Sequence, residues 1–141
     1  MKNFVRATAV AFSFCAAVAS MPAYAGAFRV NYYGDATAKD IASVVTDAFT
    51  KKFPASKYEI FLLASAGQDN EGDDYCYAQT GVIPAGSNET PQMRYSFVGI
   101  KHHGQVMTVG LRHEFEAECA RGAVRNMMSD QLSNIYLPYK K

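Results

Sequence analysis

Cys76 and Cys119 carry the clearest covalent chemistry in this 141-residue chain. The third cysteine, Cys15, lies in an N-terminal segment expected to be removed, which leaves the other two to close a loop. In an oxidising compartment such a pair forms a disulfide, and the bond removes the thiolate that a nucleophilic mechanism or a soft metal would use. A loop of ~40 residues gives such a bond about 3–4 kcal/mol in the chain-entropy account.

The acidic run from Asp69 to Asp74 is the obvious place to look for a calcium site. An EF-hand loop starting at Asp69 needs glycine at its sixth position and glutamate at its twelfth. Asp74 and Thr80 stand there, so the run reads as a polar connection. His102 and His103 are adjacent on an expected turn, where consecutive side chains diverge. His113-Glu114-Phe115-Glu116 lacks the second histidine of the zinc-hydrolase pattern. No serine sits in a Gly-x-Ser-x-Gly elbow. Asn88-Glu89-Thr90 fits the eukaryotic glycosylation pattern but here marks only an exposed loop. These residues define no catalytic centre, no metal site and no cofactor.

The elements that must position these groups alternate in period. Phe28 to Tyr33 is aromatic and β-branched enough for a strand, ended by Gly34. Thr37 and Asp40 resemble a capping box, and Ile41, Val44, Val45, Ala48 and Phe49 recur at helical spacing until Phe53-Pro54 closes the helix. Tyr58–Ala66 reads as a buried strand, the acidic run as its loop, and Tyr75–Ile83 as the returning strand. After a turn-rich stretch from Pro84 to Pro91, Met93, Tyr95 and Phe97 alternate as a half-buried strand. His102-His103-Gly104 then makes a tight connection to a hairpin partner, Val106–Leu111. Phe115, Cys119, Ala123, Met127, Met128 and Ile135 fall at three-to-four spacing, giving a helix over about 114–135 in which Gly122 marks a break or a close contact.

The order β-α-β-β-β-β-α implies an α+β fold. About five strands form an antiparallel sheet, both helices cover one face, and one disulfide ties the third strand to the last helix. In topology alone the outline resembles cystatin-like sheets wrapped on a helix. With Cys76 turned toward the helices, strand alternation places Tyr75 and Tyr77 on the opposite face. Tyr32, Tyr33 and Tyr95 also fall on strands. Tyrosine combines broad apolar contact with a hydroxyl and is enriched at interaction surfaces, so Tyr75 and Tyr77 are the candidate interaction residues.

Residues 1–25 have the features of a bacterial-type signal peptide. Lys2 and Arg6 start it, Ala7–Ala19 form an apolar run too short to cross a bilayer, and Ala23-Tyr24-Ala25 supplies the cleavage site. The expected product is one α+β domain over 26–141, exported to the periplasm or secreted, with no stable membrane insertion. Loss of Lys2 and Arg6 leaves 12 basic residues against 13 acidic ones, a net charge of −1. That balance has none of the clustered positive charge that nucleic-acid binding requires.

Size, export and the lack of a catalytic motif favour a binding protein over an enzyme. Its partner would be a protein, as for an inhibitor or immunity-type protein, or a cell-envelope component. A homodimer pairing through exposed sheet faces or edges would use the same residues. Two alternatives are a small periplasmic hydrolase with a site assembled from distant residues, and a soluble ligand carrier with a pocket lined by Phe49, Phe61 and Met127.

Overall fold

The computed structural model describes residues 27–102 and 106–131. Residues 1–25 and His103 lie outside that range, as does the expected helix beyond Gln131. The elements are β1 (Val30–Tyr33), α1 (Ala38–Ile41), α2 (Asp47–Lys52), β2 (Tyr58–Gln68), β3 (Asp73–Pro84), β4 (Tyr95–His102) and α3 (Val109–Gln131). The fold is α+β, with a four-stranded mixed sheet of order β1-β2-β3-β4 and three helices. It corrects the expected five-stranded antiparallel sheet with two helices in three respects.

First, β1 runs parallel to β2, with Val30 beside Ile60 and Tyr33 beside Leu63. The chain leaves β1, passes through α1 and α2, and re-enters the sheet in the same direction. A helical crossover of this kind produces a parallel pair, whereas short hairpin links give the antiparallel pairing of β2, β3 and β4.

Second, the helix expected before Phe53 is two short helices. The Asp40 carboxylate accepts from the Thr37 N–H (2.7 Å) and hydroxyl (2.8 Å), which starts α1. The chain turns after Ile41 and starts again at Thr46, whose hydroxyl accepts the Phe49 N–H at 3.3 Å. A β-branched run, Val44-Val45-Thr46, stands where a single helix would have to continue, and Thr46 offers the backbone a cap instead. Ile41, Val45 and Phe49 still reach the core.

Third, the expected strand Val106–Leu111 is not one. Strand β3 is long enough to hold β4 in register as far as Asp73 opposite His102, so Val98–Lys101 extend the strand. The Thr108 hydroxyl then accepts the Leu111 N–H at 3.3 Å, and α3 begins at Val109. The alternation of Val106, Thr108 and Gly110 reflects no buried face, because Val106 and Val109 are exposed.

The core lies between the sheet and α3. Ile60, Leu62 and Ala64 of β2 and Cys76, Ala78 and Val82 of β3 meet Phe115, Cys119, Ala120, Ala123, Val124, Met127 and Met128 of α3. Small alanines on both surfaces let helix and sheet approach closely, and the larger Ile, Leu and Met side chains fill the space between them. The Cys76–Cys119 disulfide crosses this core, with its α-carbons 6.1 Å apart, and links β3 to α3. Gly99 of β4 sits beside it: a Cβ there would lie 2.9 Å from the Cys76 sulfur and 3.3 Å from that of Cys119. Among the described residues, no helix is long and apolar enough to cross a membrane.

A candidate interaction face on the open side of the sheet

All three helices that pack on the sheet lie on the Cys76 side, and the other side divides into a covered and an open half. The covered half is closed by the chain between β3 and β4. Pro91 is buried over Gly81, where a Cβ would come within 2.5 Å of the proline ring. The Gly86 N–H donates to the Glu59 carboxylate at 2.9 Å and fixes the start of the same segment. Phe61 and Ile83 are buried on this half.

The open half runs across three strands. Cross-strand register sets Leu63 beside Gln79 and Gln79 beside Ser96, then Ser65 beside Tyr77 and Tyr77 beside Val98, then Gly67 beside Tyr75 and Tyr75 beside Ile100. Tyr75 is 47% exposed, Val98 62% and Ile100 71%. Tyr77 is half-buried between its neighbours. Tyr33 joins at the β1 side and packs its ring against Phe61, with centroids 5.6 Å apart. Gly67 allows the Tyr75 ring to lie across β2, since a Cβ there would sit 2.6 Å from the phenol oxygen. Tyr75 and Tyr77 therefore lie on the face without helices, next to an aliphatic row.

The other sequence candidates are dispersed. The Asp69 carboxylate accepts from the N–H groups of Glu71 and Asp73, both at 2.9 Å, and so is spent on its own turn. Asp73 pairs with His102. That carboxylate, through its hydrogen bond and then its charge, raises the His102 pKa above the ordinary histidine value. Asp74 points to the helix side, is buried, and accepts from the Gln68 amide at 3.0 Å. Asp69, Asp73 and Asp74 thus face three ways. Among the described residues no three His, Cys, Asp or Glu side chains are grouped to hold a metal ion.

His113 meets Asp40 at 3.6 Å. Partial burial works against the Asp40 carboxylate. The Thr37 donors outweigh it, with help from His113 and Arg121, and the pKa is held below the usual aspartate value. A cavity of about 190 Å³ beside α3 is lined by Asp74, Lys101, Leu111, Glu114, Phe115 and Glu118. Lys101 pairs there with Glu118 at the surface and lies over the Phe115 ring, 4.6 Å from its centroid. Phe49 and Met127 are core residues, whereas Phe61 is on the far side of the sheet, so these three do not line one pocket.

Sequence reasoning missed Glu116. Its carboxylate is buried and accepts the N–H groups of Asp35 (2.6 Å) and Ala36 (3.0 Å), which anchors the β1–α1 turn to α3. The available signal was the middle one of three glutamates, Glu114, Glu116 and Glu118, in phase with Cys119 and Ala123 on the buried side of the helix. Comparison with models of known protein families, with curated proteins and with solved structures finds no match to this chain.

Proposed function

We propose that this is a small exported binding protein whose open sheet face, centred on Tyr75 and Tyr77, docks on a folded partner protein. The observation that carries the reading is the exposure of Tyr75, Val98 and Ile100 side by side on a rigid sheet whose other face is fully used by the core. Interaction surfaces combine such aromatic and aliphatic centres with a polar rim, and Ser65, Gln79 and Ser96 supply polar groups here. A disulfide inside the core fits an oxidising compartment, in keeping with the signal-like residues 1–25. An inhibitor or immunity-type role is the functional class that suits a small, rigid, single-faced binder.

The test is a photo-crosslinking amino acid placed at Tyr75, with Lys39 on the helix side as the control, in the producing cell. A discrete adduct at position 75 and none at 39 identifies the partner, and purified partner should then bind Tyr77→Ala at least ~30-fold more weakly. Equal crosslinking at both positions, or unchanged affinity of Tyr77→Ala, would remove this face from the function.

A further inference from the structure

Strand β4 is an edge of the sheet, and its character differs from that of a protected edge. Eight residues, Tyr95–His102, pair in uninterrupted register with β3 on one side, and among the described residues no strand pairs on the other. Native edges are usually blunted by proline, a bulge or inward-pointing charge. Within β4 there is no proline and no bulge, and its one lysine, Lys101, is drawn toward Glu118 on α3. The Asn126 amide donates to the Ser96 carbonyl at 3.1 Å, a side-chain contact that a pairing strand would have to displace or share. The most exposed large apolar residues of the sheet, Val98 and Ile100, stand on this strand.

We infer that β4 pairs antiparallel with β4 of a second copy of this chain, with the two-fold axis at Val98, joining the two sheets into one. Charge favours this occupant. In that register Val98 faces Val98 of the second copy, Ser96 faces Ile100, and Phe97 lies beside Gly99. Tyr95, whose hydroxyl donates to Asp130 at 2.5 Å, faces Lys101, which sets an ammonium beside an acidic site. Arg94 faces His102 and the Asp73 carboxylate paired with it.

The helices above repeat the pattern. Gly122 rests on Phe97, so the axis passes close to it. Glu118 and Arg125 are seven residues apart and both exposed, on nearly the same side of α3. They flank that point, and two antiparallel α3 helices would bring Glu118 of each copy opposite Arg125 of the other. Pairing uses the backbone edge of β4 and leaves the open face uncovered on both copies, although Val98 and Ile100 belong to both surfaces.

Two measurements on protein recovered after export test it. Sedimentation velocity over a wide concentration range should show a reversible dimer. Val98→Glu, which opposes two carboxylates on the axis, should raise its dissociation constant more than about a hundredfold. Val98→Cys should form an interchain disulfide under mild oxidation, because directly opposed residues are ~5 Å apart at Cα. Ser96→Cys, equally placed but about 13 Å from its own counterpart in this register, should not. A monomer at every concentration overturns the inference. So does a dimer insensitive to Val98→Glu, or one that crosslinks equally through positions 96 and 98. Tyr75→Ala should leave the dimer intact, so loss of partner binding and loss of dimerisation are read separately.

Discussion

Gly122 of α3 and Phe97 of β4 are in contact so close that any side chain at position 122 would force the ring or the helix to shift. A Cβ on Gly122 would fall 2.6 Å from two carbons of the Phe97 ring. Glycine inside a helix is ~1 kcal/mol less favourable than alanine. The contact explains why α3 carries one: the missing side chain lets the helix settle onto the edge strand. Gly122→Ala should therefore destabilise the protein by about 1–2 kcal/mol net, the overpacking strain exceeding the helix gain. In a Phe97→Ala background the same substitution should become stabilising. Urea unfolding of the four proteins gives the cycle: stabilisation in both backgrounds would show that the ring moves aside freely, and destabilisation in both that the strain does not come from Phe97.

How much of this was legible in the sequence depended on the range of the interaction. The core face of α3 was readable because Phe115, Cys119, Ala123, Met127 and Met128 repeat at the helical period, and packing obeys that period. The positions of Tyr75 and Tyr77 followed from Cys76 by the strand period of two. Errors arose where a local pattern competed with a partner far along the chain. Ile41 to Phe49 repeat at helical spacing as one stripe, yet Thr46 caps a second helix and the chain turns between the two. Val106–Leu111 alternates like a strand, but Thr108 caps a helix there. The folding of Pro91 back over Gly81 and the reach of Glu116 to Ala36 have no local signature at all.

The Cys76–Cys119 bond spans 43 residues and joins the central strand β3 to α3 through the core. Replacing either cysteine with serine should lower stability by about 2–4 kcal/mol, mainly by freeing the unfolded chain. Non-reducing peptide mapping should recover the linked pair. Quantitative alkylation of both thiols without reductant would refute the bond. A stability loss near zero would show that the unfolded state gains little freedom when the link is removed.

His102 should titrate above 6.5, because the neighbouring Asp73 carboxylate favours its charged form. Since the folded-state pKa is the raised one, the pair's contribution is fully present below the unfolded value. It is lost as pH rises through the folded one. The effect on stability is small, as the imidazole is exposed and screened by solvent. The pKa itself is the sharper readout. An NMR titration of the ring should show the upward shift, and Asp73→Asn should abolish it. A shift that survives Asp73→Asn would assign it to another group, first Asp69.

Glu116 joins two parts of the chain 80 residues apart, and its role is mechanical. The N–H groups of Asp35 and Ala36 come just after β1, at the turn where Gly34 adopts a φ of 117° and the chain swings toward α1. Ala36 is fully buried, so its N–H has no alternative acceptor in water. Glu116→Ala removes the acceptor for both donors and opens a small cavity. It should cost about 2–4 kcal/mol, since each buried polar group left unsatisfied is worth ~1–3 kcal/mol. Glu116→Gln retains an oxygen with the same reach and loses only the assistance of the charge, so its cost should be about 1 kcal/mol. The ordering Ala well above Gln distinguishes an acceptor role from a requirement for negative charge, which would make the two substitutions equally damaging. Urea unfolding at neutral pH measures both. Amide hydrogen exchange at Ala36 locates the effect, and protection there should fall much further in Glu116→Ala than in Glu116→Gln.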